Sequence, residues 1–360
     1  MVVEEMVVSE TTGEALLLCG NVRKRVFSCM KTTYDKPFLR YDQLIKLMRS
    51  RNIEINNVPF AMNTLSNMSY YVIINGYKGS ALSIPGTDLF IPGTRFEELY
   101  TLHLLDVSLS SLILKNILYI ERALKSRLSY VVSRNYGVYT DPSDMTLSNQ
   151  DDYLYRGYYS PSKGRRNNTL KQLKGVFDLS DSKKYKSKSL VHYMQNHDHV
   201  PPWILTTSLT FGQVILWFTI LQSNDKVSIC NSFIRDDSLS SEDKKEYLRK
   251  CFDLLKEYRN NIAHGSRTFL YEGKVAVPKK QLLHLSHGVV TGSEYNMNPH
   301  AQKGMFAVIA IITTLLNDQY LLASFKRDLG SILDPYKTVL FNGRKLTDLF
   351  SLPENIVDRI

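Results

Sequence analysis

Apolar residues recur every three or four positions over long parts of this chain, which is helical spacing. The longest run comprises Leu99, Leu102, Leu105, Leu109, Leu112, Ile113, Ile117, Ile120, Leu124, Leu128 and Val131. No Gly or Pro interrupts it before Gly137, so it predicts one long helix, or two joined end to end, reaching about residue 134. Thr94 and Glu97 stand ahead of it at capping-box spacing. A second pattern, within residues 240–267, places Tyr247, Leu248, Cys251, Leu254, Leu255, Tyr258 and Ile262 on one stripe. Ser240 suits its N-cap, and Glu242 and Asp243 suit the positive end of the helix dipole. Gly265 can adopt the left-handed conformation that stops a helix.

Other elements are shorter. Asp42 is expected to cap a helix running to Arg51, and residues 60–67 suit another. Residues 76–93 hold four glycines and two prolines and read as loop or hairpin. Pro201-Pro202 marks a boundary before an apolar helix over residues 203–221 with Gly212 inside it. Val275-Ala276-Val277 and Leu282-Leu283 suit strands, and helix resumes over residues 301–316 and 321–333. Asn342-Gly343 and Pro353 read as turns. Near the start, Val2-Val3, Met6-Val7-Val8 and Leu16-Leu17-Leu18 suit either short strands or a docked arm. There is no internal repeat and no glycine-rich nucleotide motif.

Charge changes the picture in one place. The 360 residues carry a net +10 with a pI near 9.2, which favours anionic partners. Between residues 156 and 190 stand Arg156, Lys163, Arg165, Arg166, Lys171, Lys174, Lys183, Lys184, Lys186 and Lys188, opposed only by Asp178 and Asp181. This one segment therefore holds eight of the ten net charges. Tyr153, Tyr155, Tyr158, Tyr159 and Tyr185 are interleaved with it or adjoin it. Basic side chains neutralise phosphates and aromatic rings stack unpaired bases, so RNA contact is expected here; a solvated loop is the plainer reading.

Four cysteines, Cys19, Cys29, Cys230 and Cys251, are scattered without a Cys-x-x-Cys and are read as reduced thiols of a cytoplasmic protein. Glu4 and Glu5 precede any apolar run, which does not suit a signal peptide. The most apolar run, residues 304–316, is too short to span a bilayer, so no membrane partner is expected. His192, His197 and His199 beside Asp198 lack an ordered fourth ligand, and no metal or other cofactor is expected. His284, His287 and His300 read as loop histidines.

The candidate chemistry lies off the apolar stripe of residues 240–267. At roughly 100° per residue, Arg259, Asn260 and His264 all fall outside an apolar arc of about 120°. Asn260 and His264 are one turn apart, whereas Arg259 lies about 140° from His264 on an ideal wheel. Arg offers a permanent charge and a planar fork for phosphate, and His takes or gives a proton near neutral pH. With Asn260 fixing the ring, such a face suits phosphodiester cleavage without a metal, the nucleophile being the ribose 2′-hydroxyl of RNA itself. His264 is the one histidine with an Arg five to seven residues before it.

Several stretches in order carry a resemblance. These are Lys36-Pro37-Phe38-Leu39-Arg40-Tyr41-Asp42-Gln43-Leu44, Asn67-Met68-Ser69-Tyr70-Tyr71, Asn75-Gly76-Tyr77, and residues 120–130 with Glu121-Arg122. Pro201-Pro202-Trp203-Ile204, Leu209-Thr210-Phe211-Gly212 and Arg259-Asn260-Asn261-Ile262-Ala263-His264 follow. Together they resemble the AbiD/AbiF-type abortive-infection proteins, which are placed among HEPN-like helical modules whose Arg-x4-6-His motif marks RNases. The resemblance implies an all-α, mainly helical fold: a HEPN-like bundle over residues 35–270 with a basic insert at about 153–190. An arm at 1–34 and a small mixed C-terminal extension at 271–360 flank it. It implies phage defence by a metal-independent endoribonuclease with Arg259, Asn260 and His264 as catalytic residues and Glu121 or Arg122 supporting them. The alternative is a non-catalytic protein that forms a ribonucleoprotein with a non-coding RNA, or is silenced by one as in toxin–antitoxin pairs. Because HEPN-type sites combine two such faces and the chain has one Arg-x4-His, a homodimer is expected, or an internal degenerate partner around Glu121.

Overall fold

The computed structural model describes residues 16–19, 22–25, 36–160, 162–181 and 185–360. The expected strands at Val2-Val3 and Met6-Val7-Val8 lie outside them. Strand β1 (Leu16–Cys19) pairs antiparallel with β2 (Val22–Arg25), so Leu16-Leu17-Leu18 is a strand. In chain order there follow α1 (Tyr41–Ser50), β3 (Ile53–Glu54), α2 (Val58–Asn67), α3 (Tyr70–Ile73), β4 (Thr94–Arg95) and α4 (Phe96–Tyr136). Next come α5 (Lys163–Lys174), α6 (Lys188–Asn196), α7 (Pro202–Leu205), α8 (Phe211–Ile220), α9 (Ser223–Phe233) and α10 (Ser241–Ala263). The C-terminal part holds α11 (Lys279–Leu285), α12 (Gly292–Met297), α13 (Pro299–Lys303), α14 (Met305–Leu315), α15 (Gln319–Leu333), β5 (Leu340–Phe341), β6 (Arg344–Lys345), α16 (Leu346–Leu349) and α17 (Ile356–Arg359). Among the described residues the protein is therefore mainly all-α, and each of its three sheets is a pair of short strands.

The bundle is built around α4. It is one unbroken helix of 41 residues, about 60 Å at 1.5 Å per residue, and every residue of the predicted apolar run is buried. It packs against α7, α8, α9, α10, α14 and α15. By length and composition α4 could cross a bilayer, but half of its most apolar stretch is buried within the protein, as in a core helix. Its start differs from the expectation. Thr94 is buried in a parallel pairing with Ile53, so the cap moves one residue on, and Glu98 accepts the Arg95 amide at 3.1 Å. Glu97 instead accepts the amide of Asn57, at 3.1 Å.

Residues 271–360 share this core. Every residue of α14 from Met305 to Ile312 is buried, and α14 touches both α4 and α10. Several other boundaries moved for local reasons. Gln43, rather than Asp42, accepts the Arg40 amide at the start of α1, at 2.9 Å. The apolar stretch 203–221 breaks into α7 and α8 because Thr210 caps anew, accepting from Gln213 N at 3.3 Å. The stretch 301–316 breaks at Gly304, where a Cβ would lie 2.4 Å from the His300 ring. No strand forms over residues 275–283; Leu282 and Leu283 are in α11, and the Val277 amide donates to Gln302 O at 2.9 Å. Asn342 and Gly343 do form the turn of the β5–β6 hairpin, both at positive φ (44° and 75°), as a two-residue type I′ loop requires.

Candidate functional site

Helix α10 is capped at both ends as its sequence indicates. Ser240 Oγ accepts the Asp243 amide at 3.1 Å. Tyr247, Leu248, Cys251, Leu254, Leu255 and Tyr258 are buried, with Phe252 beside them, and Ile262 is partly buried. At the far end Gly265 takes φ +69°, its amide donates to Ile262 O at 2.9 Å, and the Ser266 amide donates to Asn261 O at 3.1 Å. These two bonds make a Schellman cap, and they place His264 at the C-cap.

The chain beyond the cap is clamped to α4 and to the α3 region. Arg267 Nη2 donates to the carbonyls of Tyr71, at 3.3 Å, and Val72, and its guanidinium lies 5.2 Å from the centre of the Tyr77 ring. A Cβ on Gly76 would fall 1.3 Å from Arg267 Cζ, so any larger residue there would displace the guanidinium. Asp106 on α4 accepts from Thr268 Oγ1 at 2.8 Å and from the amides of Thr268 and Phe269 at 3.2 and 3.3 Å. Burial raises the Asp106 pKa, and the bonds from Thr268 and Phe269 oppose it. Phe269 stacks on Tyr77 at 5.5 Å. The Asn75-Gly76-Tyr77 block and the Arg259–Arg267 block, almost two hundred residues apart, thus meet at the end of α10. Sequence reasoning missed Asp106 altogether, since a lone acid in an apolar run looks like any surface position.

Arg259 is half-buried, while Asn260 and His264 are exposed. Arg259 Nη1 donates to Asn260 Oδ1 at 3.4 Å. Arg259 lines a cleft of about 520 Å³ together with Glu121, Lys125, Tyr185, Thr210 and Gln213. Glu121 is 7% exposed; one oxygen pairs with Lys125 at 2.8 Å and the other, Oε2, has no hydrogen-bond partner. Arg122 is exposed and His264 is exposed, and neither lines this cleft. Within one chain, then, Arg259 and Glu121 come together while His264 and Arg122 stand outside. The signals for the remaining cleft residues were weak: Thr210 and Gln213 have capping-box spacing, and Tyr185 is one of five tyrosines in the basic segment.

The basic segment is more ordered than a charge run suggests. α5 packs on α8, burying Leu170 and Leu173. Arg156, Arg165, Lys171 and Lys188 are exposed and Arg166 is partly buried. Lys163 opens α5, and Lys183 and Lys184 lie outside the described residues. Lys186 donates to Asp181 O. Lys174 is a correction: its ammonium is fully buried, paired with Asp152 and donating to Thr140 Oγ1 at 3.0 Å, so no phosphate can reach it. Tyr153 and Tyr159 are likewise core residues, donating to Val200 O at 2.9 Å and Tyr153 O at 2.7 Å. Tyr158 stacks on Tyr136 at 4.6 Å. Tyr185, 72% exposed, is the most open of the five.

Among the described residues no group of three or more His, Cys, Asp or Glu is placed to hold a metal ion. Cys230 and Cys251 are buried free thiols, and burial pushes the Cys230 pKa up to about 12.

A family model described as "Abi-like protein" matches residues 63–270, more than half of the chain. The chain belongs to the Abi-like protein family. Membership makes it an abortive-infection protein of antiviral defence. The matched span opens within α2, takes in α4 and α10, and ends three residues past Arg267. No curated protein and no solved structure matches this chain.

Proposed function

We propose that this abortive-infection protein binds RNA and cleaves it without a metal, in the manner of a HEPN-type endoribonuclease. The observation that carries the reading is the end of α10. Arg259, Asn260 and His264 stand clear of the buried stripe on a helix terminus locked by the Schellman cap and the Arg267 and Asp106 clamps. In the proposed step His264 takes the proton of a ribose 2′-hydroxyl and O2′ attacks the adjacent phosphorus. The bond to O5′ breaks, leaving a 2′,3′-cyclic phosphate, and O5′ takes a proton from a second imidazolium. Arg259 stabilises the charge on the phosphorane. The second imidazole would come from another copy of α10, so the site is complete only in a homodimer.

A specific observation favours a second reading, in which the protein holds an RNA without cutting it. Arg259 shares its cleft with Glu121, Lys125 and Tyr185 but not with His264. An arginine, a lysine and an exposed tyrosine suffice to seat a phosphate and a base. Incubation of purified protein with labelled RNA separates the two. Cleavage is expected to fall by about 10²–10⁴-fold in His264→Ala, with the circular dichroism unchanged because His264 is exposed. Equal cleavage by wild type and His264→Ala would remove the catalytic role, and RNA retention without any product would establish the second reading.

A further inference from the structure

A second cleft lies at the opposite end of α8. The first is lined by Thr210 and Gln213 at the start of that helix and by Val176 just after α5. The second is lined by Phe218 and Thr219 at its end and by Arg165 near the start of α5. On α10 the two are marked by Arg259 and Arg249, about 15 Å apart along a helix rising 1.5 Å per residue. The second cleft has a volume of about 530 Å³.

Four cations line it, Arg165, Lys226, Lys245 and Arg249, against two carboxylates, Glu242 and Glu246. Lys245 is already engaged, bonded to Glu242 and to Ser223 Oγ at 3.0 Å. Arg165, Lys226 and Arg249 have no carboxylate within 4 Å among the described residues. Lys226 is half-buried, and its pKa is lowered by that burial and by the charges of Lys245 and Arg165, against Cys230 and Glu242. Three elements thus bring like charges together at one cleft, Lys226 half-buried and Arg165 and Arg249 exposed. A compact multivalent anion relieves that repulsion. A backbone phosphate brings only one charge per nucleotide, whereas linked phosphates concentrate several in one cavity.

We propose that this cleft binds a chain of linked phosphates, carried either by a free nucleoside triphosphate or by the 5′-triphosphate end of an RNA. The claim is independent of RNA cleavage at Arg259 and His264. Calorimetric titration of the full chain with inorganic tripolyphosphate, ATP, a short 5′-triphosphate RNA and the same RNA with a 5′-hydroxyl tests it. Tripolyphosphate is expected to bind, and the Lys226→Gln/Arg249→Gln double variant to bind at least about tenfold more weakly, from the loss of charge-assisted hydrogen bonds. Arg249→Glu, at an exposed position, is the second variant and should weaken binding without lowering the melting temperature. Binding of ATP above the RNA assigns the ligand to free nucleotide; preference for the triphosphate RNA over its 5′-hydroxyl form assigns it to an RNA end. No binding of tripolyphosphate at millimolar concentration, or equal affinity in wild type and both variants, overturns the proposal. Retained binding in Arg259→Ala and His264→Ala, with cleavage absent from wild type, would sink the nuclease reading and leave this one standing.

Discussion

Lys174 shows how far a residue's type can mislead about its role. In a list of ten cations it is indistinguishable from Lys171, three positions earlier. In the fold Lys171 is exposed, while Lys174 is inside, against Asp152 and Thr140. The side chain of Asp152 also accepts the amides of Asp141 and Leu154, at 3.1 and 2.7 Å, so the pair ties the loop after α4 to the end of α5. Removing one partner leaves the other charged and buried. Lys174→Ala is therefore expected to destabilise the protein by about 3–5 kcal/mol in denaturant titrations, with RNA affinity unchanged once the fold is restored by lower temperature. Lys171→Ala should do the reverse, leaving stability within about 0.5 kcal/mol and weakening RNA binding. Loss of stability in Lys171→Ala but not Lys174→Ala would reverse the assignment.

Among the elements, α10 was the most legible and α11, expected as a strand, the least. Everything that shapes α10 is local: a serine acceptor, an apolar period of three and four, and a glycine free to take positive φ. Gly265→Ala keeps the polar trio but forces an L-residue to φ +69°. The expected cost is about 1–2 kcal/mol, read as a lowered midpoint in chemical denaturation. Activity should fall more than stability alone explains, because the cap sets the direction of His264. An unchanged midpoint would mean that the helix ends elsewhere in solution. The expected helix over residues 203–221 formed as α7 and α8, with a break between them. Thr210 and Gln213 form a capping box inside an apolar stretch, and this local start signal outweighs continuity of hydrophobicity.

For the whole molecule, the arrangement around α4 separates two clefts along α8 and α10 and leaves His264 outside both. A site that needs two His264 imidazoles beside Arg259 is best served by a second copy. Light scattering at micromolar concentration is expected to give about twice the 41.4 kDa chain mass. Wild-type chains exchanged with an equal amount of His264→Ala chains should keep about one quarter of the cleavage of the same total of wild-type protein, since only a quarter of the dimers then carry both imidazoles. A purely monomeric protein that still cleaves RNA, or one half rather than one quarter of the cleavage on mixing, would exclude the shared site.

Local chemistry was enough to place α1, α2, α4, α8, α10, α14 and α15 and the polar face that ends α10, because caps and apolar periodicity act between residues a few positions apart. It was also enough to quote the blocks that identify the family. Pairings across long stretches of chain were settled by packing. Gly76 receives the Arg267 guanidinium, Asp106 holds Thr268, and Glu121 rather than Arg122 shares a cleft with Arg259. Each depends on how α4 is rotated against α10 and on where the segments between them settle. That rotation is set by the summed burial of one large apolar core, to which residues from Ile45 to Ile356 contribute.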